Sequence, residues 1–289
     1  VTRYTAGGKE MDYKVLVDSC GELTDEMKSG GKFETVSLQL QVGDQIITDD
    51  ETFDQKAFLE AVASSPECPR SSCPSPQAYM EKYHCDAERI YVVTLSAELS
   101  GSYNSAILGK NLYEEEYGKK QIYVFNSRSA SVGETLIALK IQECEEAGMT
   151  FEQVIDKVED YISGQNTYFV LESLDFLRKN GRLTGLKAVV ATALNIKPIM
   201  GSLPEGTIHQ LGQARGMKKA LVKMTEQIKE DARRPEKKQI AISHCNCPER
   251  AEDVRKMLLE KLNVKSSIVL NTRGVSSLYA GDGGIIVVL

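Results

Sequence analysis

The sequence has no long apolar stretch. Its longest uninterrupted run, Ile285 to Leu289, is five residues, far short of the ~20 that a membrane-crossing helix requires, so no membrane span is expected. It also lacks a positive excess. The 35 basic residues are outnumbered by 41 acidic ones, for a formal net charge of −6. Binding to a nucleic-acid backbone depends on positive surface that releases counterions, so no nucleic-acid partner is expected. Histidine is scarce, with His84, His209 and His244 the only three. A serine nucleophile needs a general base within hydrogen-bond reach, and no Gly-x-Ser-x-Gly elbow is present. His84 lies in the polar stretch Tyr83-His84-Cys85-Asp86 and His209 on a strand after a turn. His244 ends a strand and is the best placed, although a satisfied structural histidine is the plainer reading. No catalytic residue is assigned.

A second Cys/His pair at zinc spacing is also missing. His244, Cys245 and Cys247 sit together, but His-Cys-x-Cys alone rarely closes a tetrahedral shell, so no metal is assigned. The seven cysteines form an odd set in a long chain without a recognisable signal peptide. That fits a reducing, cytoplasmic interior better than a disulfide framework. No internal repeat or low-complexity segment occurs. The glycine run Gly281-Asp282-Gly283-Gly284 leads into a terminal strand with no helix behind it and no acidic residue twenty positions on, so it cannot be a dinucleotide loop.

What is present is an ordinary globular composition, 42% hydrophobic and 26% charged over 289 residues, enough for two domains. Residues 1–10 are polar and precede Met11 and the first apolar strand, and are set aside from fold reasoning. The first half alternates between strand and helix periodicity. Strands are expected at 13–17, 33–42, 45–48, 90–94 and 121–125, with Gly43-Asp44 as a hairpin turn. Helices are expected at 53–63, from Ser75-Pro76 through 83, and at 102–117, 133–147 and 151–163. Such alternation implies an α/β domain, residues 11–165, with a mainly parallel sheet flanked by helices.

Residues 166–289 mix hairpin and crossover connections and read as an α+β domain. Strands are expected at 168–171, 196–200, 207–213, 239–243, 267–271 and 285–289, with Pro198 favouring an edge. Helices are expected at 174–179, 188–195, 217–232 and 248–262.

Ligands of open parallel sheets sit beyond the carboxyl ends of the strands. This singles out Asp18-Ser19, the loop 96–101, and the segment 126–129. Hydroxyl groups are concentrated in Ser71-Ser72-Cys73-Pro74-Ser75-Pro76 and in Ser96-Ala97-Glu98-Leu99-Ser100-Gly101-Ser102-Tyr103. Each precedes a predicted helix, where free N–H groups and the positive helix end suit a carboxylate or phosphate. The competing reading is that these serines are only caps and turn residues. Lys179-Asn180-Gly181-Arg182-Leu183-Thr184-Gly185 places an arginine fork in a glycine-flanked turn, able to meet a phosphate or a partner's carboxylate. The plainer reading is a solvated arginine, as it is for Arg215, Lys218 and Lys219.

Taken together, these segments resemble the DegV family, which includes the fatty-acid-binding B subunits of bacterial fatty acid kinases. Asp18-Ser19 is similar to the family's opening Asp-Ser, and Ser71-Ser72-Cys73-Pro74-Ser75 to its Thr-Ser-Gln-Pro-Ser. Leu99-Ser100-Gly101-Ser102-Tyr103 resembles Leu-Ser-Gly-Thr-Tyr, and Asn126-Ser127-Arg128 resembles Asp-Ser-Lys/Arg. Gly181-Arg182-Leu183 is similar to Gly-Arg-Ile, and Asn195-Ile196-Lys197-Pro198-Ile199 to the Lys-Pro strand that follows. The motifs run in order from about Tyr13 to Leu289.

The resemblance implies a two-domain protein that is not itself an enzyme and needs no cofactor. It would bury a long-chain fatty acid such as palmitate or stearate between its domains and present it to a fatty acid kinase catalytic subunit. It places the carboxylate at Ser71, Ser72 and Ser100, with Ser96, Gly101 and Tyr279 nearby, and gives Arg182 the contact with phosphate or kinase. The alternative function for the same serine loops is a small-molecule hydrolase or phosphotransferase. Two departures stand out: Ser71 and Cys73 replace threonine and glutamine, and Tyr279-Ala280-Gly281-Asp282-Gly283 stands where the family has His-x-Gly-x-Gly. A phenol, with a pKa near 10, donates a hydrogen bond but brings no positive charge at neutral pH.

Overall fold

The computed structural model describes residues 13–183 and 195–289. Residues 188–194 of the helix expected at 188–195, and Thr184-Gly185 of the turn, lie outside the described residues; Asn195, its last position, is a turn residue with φ +55° and not helical. The first half runs β1 (Tyr13–Asp18), α1 (Asp25–Ser29), β2 (Phe33–Val36), β3 (Gln39–Val42), β4 (Gln45–Thr48), α2 (Gln55–Ser64), β5 (Arg70–Ser72) and α3 (Pro76–Tyr83). It continues through β6 (Arg89–Thr94), α4 (Ser102–Tyr117), β7 (Gln121–Asn126), α5 (Val132–Glu146) and α6 (Phe151–Ser163).

Four of these strands form an all-parallel sheet in the order β2-β1-β6-β7. Val15, Leu16 and Val17 are all fully buried, as expected of a parallel strand covered on both faces. Val15 and Val17 pack beneath α5 and α6, while Leu16 packs with the tyrosines of α3 and α4. The N-terminus of α6 is fixed by a capping box between Thr150 and Gln153.

The single strand expected at 33–42 is two strands in two sheets. Ser19 causes the break: its N–H donates to the Val36 carbonyl at 3.0 Å and its hydroxyl accepts from the Leu38 N–H at 2.9 Å. The chain therefore leaves the parallel sheet after β2, and β3 pairs with β4 and β5 in a small antiparallel sheet. Ser71 and Ser72 thus lie on a strand, Ser71 opposite Leu40, and not in a loop entering a helix. The helix cap is Ser75, whose hydroxyl accepts from Ala78 N–H at 3.1 Å.

The second half comprises β8 (Thr167–Val170), α7 (Asp175–Lys179), β9 (Ile196–Ser202), β10 (Ile208–Arg215), α8 (Met217–Asp231), β11 (Gln239–His244), α9 (Pro248–Lys261), β12 (Ser266–Asn271), α10 (Gly274–Ala280) and β13 (Ile285–Val288). Its six strands are ordered β10-β9-β8-β13-β11-β12, and only β11 and β12 run parallel. β9 lies inside the sheet, not at its edge. Pro198 is tolerated because β8 pairs only with Met200 and Gly201, so the flank beside the proline carries no ladder on that side. α8 and α9 cover one face of the sheet.

α5 packs against both sheets. Ile137, Ala138 and Ile141 meet the parallel sheet, while Val132 and Leu136 meet Ala241 and Val288 of the mixed sheet. A helix that is apolar on more than one face belongs inside a fold, and α5 joins the two halves.

Candidate functional site

Beneath α10 and the hydroxyl loop lies a cavity of about 320 Å³, within the range of small-molecule sites. The first half supplies Leu38, Leu95, Leu99 and Ala130 to its wall; the second supplies Phe169, Leu171, Leu177, Ile208 and Ile286. Ser71, Ser72, Ser100, Gly101, Arg182 and Tyr279, all singled out from the sequence, also line it.

Contacts draw these polar groups together. The Ser71 hydroxyl lies 2.8 Å from the Tyr279 hydroxyl, so one donates to the other and the second keeps its proton for a guest. The Arg182 guanidinium lies 5.7 Å from the Tyr279 ring centre. Its Nε donates to the Leu99 carbonyl at 3.1 Å, and Nη1 donates to the Asn180 carbonyl. The Ser100 hydroxyl accepts from the Ser102 N–H at 3.2 Å, which leaves its own proton available. Burial raises the Tyr279 phenol above its ordinary value, so it remains a neutral donor at physiological pH.

Ser96 plays a different part from the one expected. It is fully buried and does not line the cavity. Its hydroxyl donates to the Gly206 carbonyl at 2.9 Å, tying the loop to the β9–β10 turn. Gly206 has φ +100°, and a Cβ there would lie 2.9 Å from the Arg128 Cα, so the latch needs glycine.

Two elements of the site escaped sequence reasoning. α10 carries Tyr279, yet its seven residues are too short for periodicity to register. Its N-terminus is held by Asp49, fully buried after β4, which accepts from the N–H groups of Gly274 and Val275 at 2.9 Å each. Burial pushes the Asp49 carboxyl up to about 6, so it is still largely ionised at neutral pH. The Gln55 amide adds bonds to the Thr272 carbonyl and the Ser277 hydroxyl, and Ser276 donates to the Cys20 carbonyl at 2.8 Å. No local pattern marks Asp49 or Gln55, because their partners lie over 200 positions away.

Other hydroxyls in the wall have buried partners, Ser202 accepting from the Thr167 N–H at 3.3 Å. Ser129 and Thr167 lie 2.6 Å apart; Ser131 donates to Glu22 at 2.8 Å and touches Ser243 at 2.7 Å. Burial pushes Glu22 up to about 7. Between the unfolded value of 4.5 and about 7 the folded chain keeps a proton that the unfolded chain has lost, so Glu22 makes stability fall as pH rises through that window. Replacing Glu22 with Gln should flatten this slope, changing the parent–variant stability difference by about 3 kcal/mol across the window. Urea titrations at a series of pH values measure it.

None of the histidines lines the cavity. His84 is exposed against Tyr117. His244 is buried, and its Nδ1 accepts from the Cys247 N–H at 3.2 Å. All seven cysteines are free thiols. Among the described residues no helix is long and apolar enough to cross a membrane.

Fold and cavity define a three-sheet α/β protein that closes an apolar chamber between its halves and gathers unspent hydroxyls at one patch of the wall. The chain belongs to the DegV family: the family model described as "Uncharacterised protein, DegV family" matches residues 12–289. A DegV domain-containing protein of Streptococcus pyogenes serotype M1 is 32% identical over 278 residues, 96% of this chain and 98% of that one. A crystal structure of a DegV family protein from Ruminococcus gnavus ATCC 29149, refined with vaccenic acid, is 65% identical with a TM-score of 0.95 and covers 96% of this chain and 100% of that one. The Streptococcus pneumoniae fatty acid kinase B3 protein, loaded with linoleic acid, is 30% identical with a TM-score of 0.86, covering 96% and 99%.

Proposed function

We propose that this chain is a fatty-acid carrier and not an enzyme. It takes a long-chain acid of the palmitate or stearate class into the cavity between two lobes, residues 11–165 and 166–289, and needs no cofactor. The carboxylate is held by Ser71, Ser72, Ser100, the Gly101 N–H and the Tyr279 phenol. Arg182 faces a fatty acid kinase catalytic subunit or the phosphate that it transfers, in a cytoplasmic setting. The observation that carries this reading is an apolar chamber whose free hydroxyl protons converge from β5, the 96–101 loop and α10.

The energetics favour retention. At about 0.8 kcal/mol per buried methylene, a C16 tail gains on the order of 10 kcal/mol, so the head group need only be satisfied and oriented. With tyrosine at 279, the positive charge beside the carboxylate comes from Arg182. The described hydrogen bonds use two of its five N–H donors.

Native mass spectrometry of the purified protein should reveal an adduct of roughly 250–285 Da, a C16–C18 acid at this methylene count. Replacing Ser100 with Ala removes a donor to an ionised group and should weaken palmitate binding roughly tenfold. A protein that neither carries lipid nor takes it up, or a variant that binds palmitate as tightly as the parent, contradicts the assignment.

A further inference from the structure

Behind the hydroxyl loop two carboxyl groups meet, and among the described residues no cation pairs with either. Asp18 ends β1 and Glu134 lies in the first turn of α5, and both are fully buried. The titratable groups bearing on the pair are the Cys20 thiol, Glu22 and the Tyr79 phenol. None of these is basic. Asp18 is well supplied with donors. Its Oδ1 accepts from the Cys20 N–H at 3.1 Å; its Oδ2 accepts from the Leu95 N–H at 2.9 Å and the Ser102 hydroxyl at 2.6 Å. Glu134 is the opposite case: both carboxyl oxygens are buried without a geometric hydrogen-bond partner among the described residues, and the weakly donating Cys20 thiol is the donor that bears on them. Oxygens of Asp18 and Glu134 and the Cys20 sulfur lie within 4.8 Å of one another.

Two carboxylates this close and away from water cannot both be ionised. Asp18 has three donors to satisfy, so the proton belongs on Glu134, where it turns an orphaned acceptor into a donor. We propose that Glu134 carries a proton donated to the Asp18 carboxylate, and that this one-proton pair fixes the loop bearing Ser100. Leu95 and Ser102 flank the loop, and Asp18 grips both. Ser102 in turn presents its N–H to Ser100, which sets the direction in which the Ser100 proton points. Asp18 and Glu134 are positioning residues. Ionising Glu134 places a second negative charge against Asp18 and loosens both grips.

The effect on ligand rests on the fatty-acid reading, whereas the shared proton does not, so the test has two arms. Infrared spectroscopy at a pH well above the Glu22 transition, where that carboxyl is ionised, should show the C=O stretch of a buried protonated carboxyl in the parent, absent from Glu134→Gln. A band that survives in that variant, or a stoichiometric metal ion bound by the parent and lost with Glu134, overturns the proposal. If Glu134→Gln does not fold, Asp18→Asn must shift the same band, and an unmoved band overturns it equally.

In the second arm, release of radiolabelled palmitate to albumin is followed from neutral to strongly alkaline pH. Parent release should accelerate roughly tenfold as the proton is lost. Glu134→Gln should release slowly throughout, and Asp18→Asn rapidly at every pH. Identical profiles for the parent and Glu134→Gln overturn the positioning role. Palmitate that fails to bind the parent at all contradicts the carrier reading and leaves the infrared arm to decide the proton.

Discussion

Replacing Ala130 with Phe should abolish fatty-acid retention while leaving the fold intact. Ala130 sits in the cavity wall and packs with the cluster containing Leu95 and Leu99. A phenyl ring grown from this position occupies space otherwise open to the alkyl tail. Excluding four to six methylenes removes about 3–5 kcal/mol of burial, which is a loss of about 10²–10³-fold in affinity. The ring also fills a void, so melting temperature should stay near that of the parent. Binding of palmitate by isothermal titration, with a thermal melt alongside, checks both halves. Undiminished affinity in a folded Ala130→Phe protein would place the ligand elsewhere.

The second large effect concerns stability. Replacing Asp49 with Ala strips two buried N–H groups at the start of α10 of their acceptor. The cost should be about 3–5 kcal/mol, or a fall of roughly 10 °C in melting temperature for a chain of this size. Palmitate affinity should fall with it, because α10 carries Tyr279. Asp49→Asn keeps one acceptor oxygen and should lose about half as much. Calorimetry of the two variants distinguishes a lost anchor from a general loss of charge.

The fold was legible wherever periodicity ran unbroken. The helices at Ser102–Tyr117 and Phe151–Ser163 and the parallel strands appear where alternation and helical spacing place them. Legibility failed where a side chain redirects the backbone. The Ser19 hydroxyl cuts one apparent strand at Val36, and nothing in the alternation of 33–42 betrays that. A proline in a strand points to an edge, but Pro198 is tolerated inside the sheet by the short pairing of β8 with β9. At the site, the two serine segments and Arg182 were conspicuous because hydroxyls and a Gly-Arg turn stand out locally. By sequence Ser96 is indistinguishable from a head-group donor, because its partner, the Gly206 carbonyl, lies far along the chain. Glu22, Asp49 and Glu134 carry no local mark. Their burial is set by tertiary packing, which composition and spacing do not encode.

The placement of α5 governs how a guest can enter. Because this helix is wedged between the sheets, swinging the halves apart with α5 held on the parallel sheet would wet Val132 and Leu136 together with Ala241 and Val288 across from them. At about 1.5–3 kcal/mol for each large side chain exposed, that route costs several times what loosening the rim does. Parting Arg182 from the Leu99 carbonyl, or Ser71 from Tyr279, gives up a single hydrogen bond worth about 1 kcal/mol. Loosening the rim is therefore the cheaper way to open the chamber than parting its two halves.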